Sequence, residues 1–157
     1  MIEYNKKNKS LKGIKANSTS KESFLKIRCD VVVLAALELQ VCGKEAGYLN
    51  CKVILEGANG PIDLEADDIL HNKKIDVIPD ILANSEGAVV SYYEWLQNKR
   101  KEYWSLEKVR DKLDIRMRNT YSDVYKFSKK NKLSMRTAAY VLALKNLEYN
   151  HHIKYDI

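Results

Sequence analysis

The chain has little cysteine, no long apolar run, no glycine-rich phosphate cradle and no internal repeat, and each absence removes a class of protein. Its three cysteines, Cys29, Cys42 and Cys51, form no Cys-x-x-Cys pair, and their odd number suits reduced thiols, read as small buried side chains, better than a disulfide framework. The longest uninterrupted apolar stretch, Val31 to Leu37, falls far short of the roughly 18 residues a spanning helix needs, and residues 1–20 lack the apolar centre of a signal peptide. No membrane partner and a cytoplasmic location are the expectation. No Gly-x-Gly-x-x-Gly occurs, so the usual pyrophosphate cradle at a helix N-terminus is missing. His71, His151 and His152 stand near no cysteine or carboxylate at metal-ligand spacing and read as surface residues; no metal site and no catalytic constellation emerge.

What is present is an ordinary soluble composition. At 157 residues, with 45% hydrophobic and 31% charged residues, the chain is one domain's worth, able to bury about two-thirds of its unfolded surface. The formal charge of +6 is unevenly placed. Lys6, Lys7, Lys9, Lys12, Lys15, Lys21, Lys26 and Arg28 face only Glu3 and Glu22 within residues 1–28, and residues 29–157 are balanced. A nucleic-acid reader carries its basic stripe on a folded face, with aromatics for stacking, whereas KKNKSLKGIK has only Tyr4 nearby. No nucleic-acid partner is expected.

Three short β-rich runs, at 30–36, 52–56 and 76–78, are separated by stretches long enough for helices, which is a βαβ spacing. VVVLAA and VIL are continuous rather than alternating, so the strands should be parallel and covered on both faces. After Pro79 the strands stop. Ser85 to Arg100 is apolar nearly all round and predicts a deeply packed helix. Ser105 opens a second helix with a stripe of Leu106, Val109, Leu113, Met117, Tyr121, Val124 and Phe127, and Ser134 is the N-cap of a last helix. The expected fold is α/β: a partial Rossmann-like parallel sheet of about three strands flanked by helices, where a complete doubly wound fold has six, with a helical C-terminal region. It reads as a single partial nucleotide-binding domain over residues 1–157, with a basic flank (1–28), a βαβ core (29–82) and C-terminal helices (84–150).

Ligands of open parallel sheets sit beyond the carboxyl ends of the strands. There the first run ends in Ala35 and Ala36, small enough to admit a ribose or ring, or equally to let a helix pack closely. The second ends in Gly57-Ala58-Asn59-Gly60-Pro61, whose glycines let backbone lie against something flat or charged. The third leads to Asn84, placed as the N-cap of the long apolar helix. The amides of Asn59 and Asn84 could pair donor with acceptor on a carboxamide or ribose hydroxyl, or could serve only as turn and cap. Glu65, Asp67 and Asp68 fall in the first turns of a helix, where carboxylates stabilise the dipole.

EGANGP (56–61), EADDIL (65–70), IPDILAN (78–84), VSYYEW (90–95) and MRTAAY (135–140), in this order and spacing, resemble the glutamate/leucine/phenylalanine/valine dehydrogenase family, most closely its short bacterial glutamate-specific form. SLKG and CDVVVLAALE extend the likeness towards the start. The resemblance implies reversible oxidative deamination of L-glutamate to 2-oxoglutarate and ammonia, with NAD or NADP as cofactor and a homo-hexameric assembly. It places Ala35, Ala36, Asn59 and Asn84 at the cofactor and Ser91 and Ala88 at the substrate. It also places the catalytic lysine and aspartate in an N-terminal substrate domain, and the glycine-rich loop in a half-sheet, that this chain does not contain. A truncated chain, inactive alone, is therefore the expectation, with a separate N-terminal dehydrogenase chain as its partner or, alternatively, a non-catalytic remnant serving as a binding or assembly module. Departures from the family pattern include Glu86 where glycine is usual, Ala88 for valine, Val89 for threonine, Leu34 for proline and Glu45 for asparagine.

Overall fold

A computed structural model describes residues 2–9, 13 and 19–155, with side chains through Tyr149. The side chains of His151 and His152 and most of the SLKG stretch therefore lie outside what it describes. Two short helices, α1 (Ile2–Asn8) and α2 (Lys21–Leu25), precede an alternating segment: β1 (Val31–Leu34), α3 (Gly43–Tyr48), β2 (Val53–Glu56), α4 (Leu64–Asn72) and β3 (Asp76–Ile78). The rest is helical: α5 (Asp80–Ala83), α6 (Glu86–Arg100), α7 (Leu106–Asn131) and α8 (Met135–Tyr155). The strands form one parallel sheet in the order β1-β2-β3, with Val31 opposite Val53 and Val53 opposite Asp76. This is the expected α/β class.

The main core lies on one face of the sheet. Leu34, Ile54 and Val77 meet Ala46 of α3 and Ala66 and Leu70 of α4, with Leu25 of α2 at the margin. The alanines let these helices sit close, and Lys73 fastens them by donating from Nζ to the carbonyls of Ala46, Gly47 and Leu49 at 3.0, 3.1 and 2.7 Å. Those carbonyls end α3 without intrahelical partners, so a lysine from the neighbouring helix completes them. A second core joins Leu82, Val124, Met135, Ala138 and Ala139, with Ile78 of β3 packed against it.

Two expectations are corrected. The strands are not covered on both faces: Val31 and Val33 are 54% and 57% exposed, because both crossover helices lie on one side and the C-terminal helices cover the other at β3. Helix α6 is not deeply packed either. Only Tyr93 is buried, against Trp104 with ring centroids 5.8 Å apart, while Tyr92 and Trp95 stack on each other in the open. Apolar residues all round a helix predict burial only where neighbours exist to cover them, and α6 packs principally on α7. The stripe on α7 keeps its spacing, yet it is half-buried apart from fully covered Val124, and Leu106 and Tyr121 are exposed. The hydroxyls of Ser105 and Ser134 cap α7 and α8, accepting from Lys108 N at 3.2 Å and Thr137 N at 3.1 Å. Among the described residues no helix is long and apolar enough to cross a membrane.

Candidate functional site at the carboxyl edge of the sheet

All three loops singled out in the sequence leave the same edge of the sheet. Gly57 N and Ala58 N both donate to Leu34 O, at 2.9 and 2.8 Å, which turns the chain sharply after β2 and lays it beside Ala35. A Cβ on Gly57 would stand 3.2 Å from the Ala35 Cβ, a tight contact that would press the two loops apart. Leu39 N then donates to Gly60 O and Val41 N to Pro61 O, both at 2.9 Å, so the loop after β1 runs alongside the loop after β2. Gly60 takes φ +53°, a left-handed turn that suits glycine.

The two amides meet. Asn84 Nδ2 donates to Asn59 Oδ1 at 2.6 Å, across 25 residues of sequence. Together with Ala35, Ala36, Leu37, Glu38, Gly57 and Ala58 they line a hollow of about 550 Å³. The bond consumes the Asn59 oxygen and one Asn84 hydrogen. It leaves the Asn59 amide group as donor and the Asn84 oxygen as acceptor, side by side at the rim. Asn84 is not the N-cap of α6, as its position suggested; it is the C-cap of α5, with Ser85 intervening before α6. Its side chain is committed across the loop instead of along the helix.

Ser91 and Ala88 sit one turn apart on exposed α6 and do not line the hollow. Ala88 and Ser91, three residues apart in α6, lie along one side of that helix. Glu86 stands exposed in the first turn of the same helix, where its carboxylate favours the dipole.

Beneath the rim lies a charged cluster of whose members the sequence reading gave a role only to Asp67. Glu56, the last residue of β2, is fully buried. Its Oε1 accepts from Arg136 Nη2 at 2.6 Å and its Oε2 from Asp80 N at 2.8 Å. Asp80 in turn accepts from Gly60 N at 2.8 Å, Ile81 N at 2.7 Å and Arg136 Nη1 at 3.4 Å. Asp67, expected to serve the dipole of its own helix, accepts from Arg136 as well, at 3.3 Å. Burial alone would lower the Arg136 pKa, but the Glu56 hydrogen bond and charge, with Asp67 behind, outweigh it and hold the guanidinium above its ordinary value. Through Asp80 this cluster fixes the Gly60 backbone next to Asn59. Both outer members stand inside quoted motifs, Glu56 in EGANGP and Arg136 in MRTAAY. Among the described residues no group of histidine, cysteine and carboxylates could hold a metal ion.

With this geometry in place, comparison with known proteins is informative. The profile of the Glutamate/Leucine/Phenylalanine/Valine dehydrogenase family matches residues 1–154. The glutamate dehydrogenase of Thermotoga maritima is 42% identical over 135 residues, 86% of this chain and 32% of its own length. The cryptic catabolic NAD-specific glutamate dehydrogenase GudB of Bacillus subtilis is 35% identical over 131 residues, 83% of this chain and 31% of its own. Among solved structures, glutamate dehydrogenase from Peptoniphilus asaccharolyticus superposes with a TM-score of 0.80 at 30% identity, covering 99% of this chain and 34% of that one. The hetero-hexameric glutamate dehydrogenase of Thermus thermophilus gives 0.82 at 28% identity, covering 94% and 35%. The chain thus spans about a third of the length of the curated relatives it matches. Fold, motifs and relatives agree: the chain belongs to the Glutamate/Leucine/Phenylalanine/Valine dehydrogenase family.

Proposed function

We propose that this chain forms the nicotinamide-side wall of a glutamate dehydrogenase cleft and works there in the oxidative deamination of L-glutamate to 2-oxoglutarate and ammonia. The observation that carries the reading is the Asn84–Asn59 amide pair at 2.6 Å on the rim of the alanine-lined hollow. A primary carboxamide such as that of nicotinamide offers one acceptor and two donors on a flat group, the complement of the Asn59 amide and the Asn84 oxygen. Ala35, Ala36 and Gly57 leave room for a ring or ribose against backbone, so the residues present fit NAD or NADP. When bound, that cofactor supplies the hydride acceptor. The residues of this chain bind and orient: Asn59 and Asn84 set the carboxamide, Ser91 donates its hydroxyl towards the distal carboxylate of glutamate, and Ala88 leaves space beside it.

The lining of the hollow contains one ionisable side chain, exposed Glu38, and no lysine. Proton transfer and most of the capture of the substrate carboxylates fall to a substrate domain, on the same or a separate chain, in a family-type hexamer. Holding two reactants in register is worth on the order of 10⁵ or more in rate, so one wall alone gives no turnover. The test is glutamate-dependent reduction of NAD and of NADP by this chain alone and with a substrate domain supplied. The expected result is no rate alone, a rate on complementation, and a loss of at least tenfold in that rate with Asn84→Ala. Turnover by the isolated chain would overturn the assignment of roles.

A second reading has its own observation. Exposed Val31, Val33, Tyr92 and Trp95 suit a non-catalytic binding or assembly module that docks on a complete subunit. Complementation without any rate, but with stable association, would favour it.

A further inference from the structure

At the opposite, amino-terminal end of the sheet, the two segments that lead into β1 and β2 run on side by side below the first named pair. Cys29 N donates to Asn50 O at 3.2 Å, while Lys52 N and Val53 N both donate to Asp30 O, at 3.0 and 3.1 Å, so the regular ladder ends at the Val31–Val53 pair and the chains below it stay joined through Cys29. Cys29, which supplies the N–H, and Cys51, which follows the accepting carbonyl, therefore stand next to this bond on the segments that lead into β1 and β2, and backbones joined in this way run about 4.7–4.9 Å apart. That separation lies within the roughly 4.4–6.8 Å range between Cα atoms that a disulfide spans. Both cysteines are half-buried and share a hollow of about 380 Å³ with Arg28, Asp30, Asn50 and Lys52. Asp30 is paired with Lys52 at 2.7 Å, so Arg28 leaves the mouth with a positive excess. Cys42 lies at the carboxyl end, its Sγ 3.8 Å from Leu39 O.

We infer that Cys29 and Cys51 form a reversible dithiol–disulfide site that exchanges with anionic low-molecular-weight disulfides of the glutathione type. The positive mouth attracts the carboxylates of such a reagent. One cysteine thiolate attacks the external disulfide, forming a mixed disulfide and expelling one glutathione thiolate. The second thiolate then attacks the protein sulfur of that mixed disulfide and expels the other. Two protons and two electrons leave the protein, and one molecule of oxidised glutathione becomes two of reduced. Burial and the neighbouring Cys29 push the Cys51 thiol up, which suits Cys51 to the second, resolving step. The site is a switchable staple between β1 and β2.

The test equilibrates the chain in glutathione mixtures from fully reduced to fully oxidised, followed by alkylation and peptide mapping. Alkylatable cysteines should fall from the three in the sequence to one, with a Cys29–Cys51 linked peptide lighter by two hydrogens and Cys42 still alkylated. Cys42→Ser should keep the linkage. Cys29→Ser, and separately Cys51→Ser, should abolish it and leave a glutathione adduct on the remaining partner. Three free thiols in the most oxidising mixture, adducts on all cysteines without an internal bridge, or a bridge that includes Cys42 would each overturn the inference.

Discussion

Arg136 shows how one side chain can govern a site it does not touch. Its guanidinium compensates the buried Glu56 carboxylate and steadies Asp80, which holds Gly60 beside Asn59. Removing one partner of a buried ion pair leaves the other charge desolvated and costs about 3–5 kcal/mol, against a total of about 5–15 kcal/mol for a domain. Arg136→Ala should therefore lower the denaturant midpoint severely, and Arg136→Lys should fall between it and the parent because it keeps the charge but loses the fork. The double change Glu56→Gln with Arg136→Met should be milder than Arg136→Ala alone. If Arg136→Ala melts like the parent, the cluster does not hold the rim. None of this was legible in the sequence. A glutamate at a strand end reads as the start of a loop, and its partner is 80 residues away. The two asparagines were legible because small polar residues after consecutive parallel strands must emerge at one edge; that Asn84 bonds across the edge instead of capping α6 depended on α5 ending directly before it.

At the scale of elements, periodicity located the helices and strands well, since spacing depends only on the chain's own geometry. It misjudged burial on β1 and α6, because exposure depends on which other elements arrive. Helix α3 illustrates a smaller local device. The Cys42 N–H donates to the Glu45 carboxylate at 3.3 Å, and Lys21 lies 3.6 Å from it. Burial raises the Glu45 pKa, but the backbone N–H groups of Glu45 and Cys42 and the charge of Lys21 prevail and hold it below the ordinary 4.5. A folded pKa below the unfolded one means that this cap stabilises fully above the ordinary glutamate range and fades as pH falls through the lower folded value. An NMR titration of the Glu45 side chain should give a midpoint below 4.5 that moves up in Lys21→Ala; a midpoint at or above 4.5 would remove the cap from the account.

Taken whole, the molecule keeps its main core on one side of a three-stranded sheet and leaves apolar β1 side chains, with Phe24 and Ile27 beside them, facing out. Residues already in water contribute little to folding, so Val31→Thr and Val33→Thr together should change stability by no more than about 1 kcal/mol. The same pair should reduce concentration-dependent light scattering, because an apolar strand at a sheet edge is a template for unwanted pairing. A large loss of stability would mean that this face is covered in solution.

The clamp on Glu56 also sets a timetable. Strand β2 and its loop leave the ribosome long before residue 136 exists, and at about 5–20 residues per second several seconds pass between them. During that interval the glutamate has no cation to meet, so the sheet can pair while its ligand-facing border stays unset. Translation must run on into α8 before that border acquires its shape.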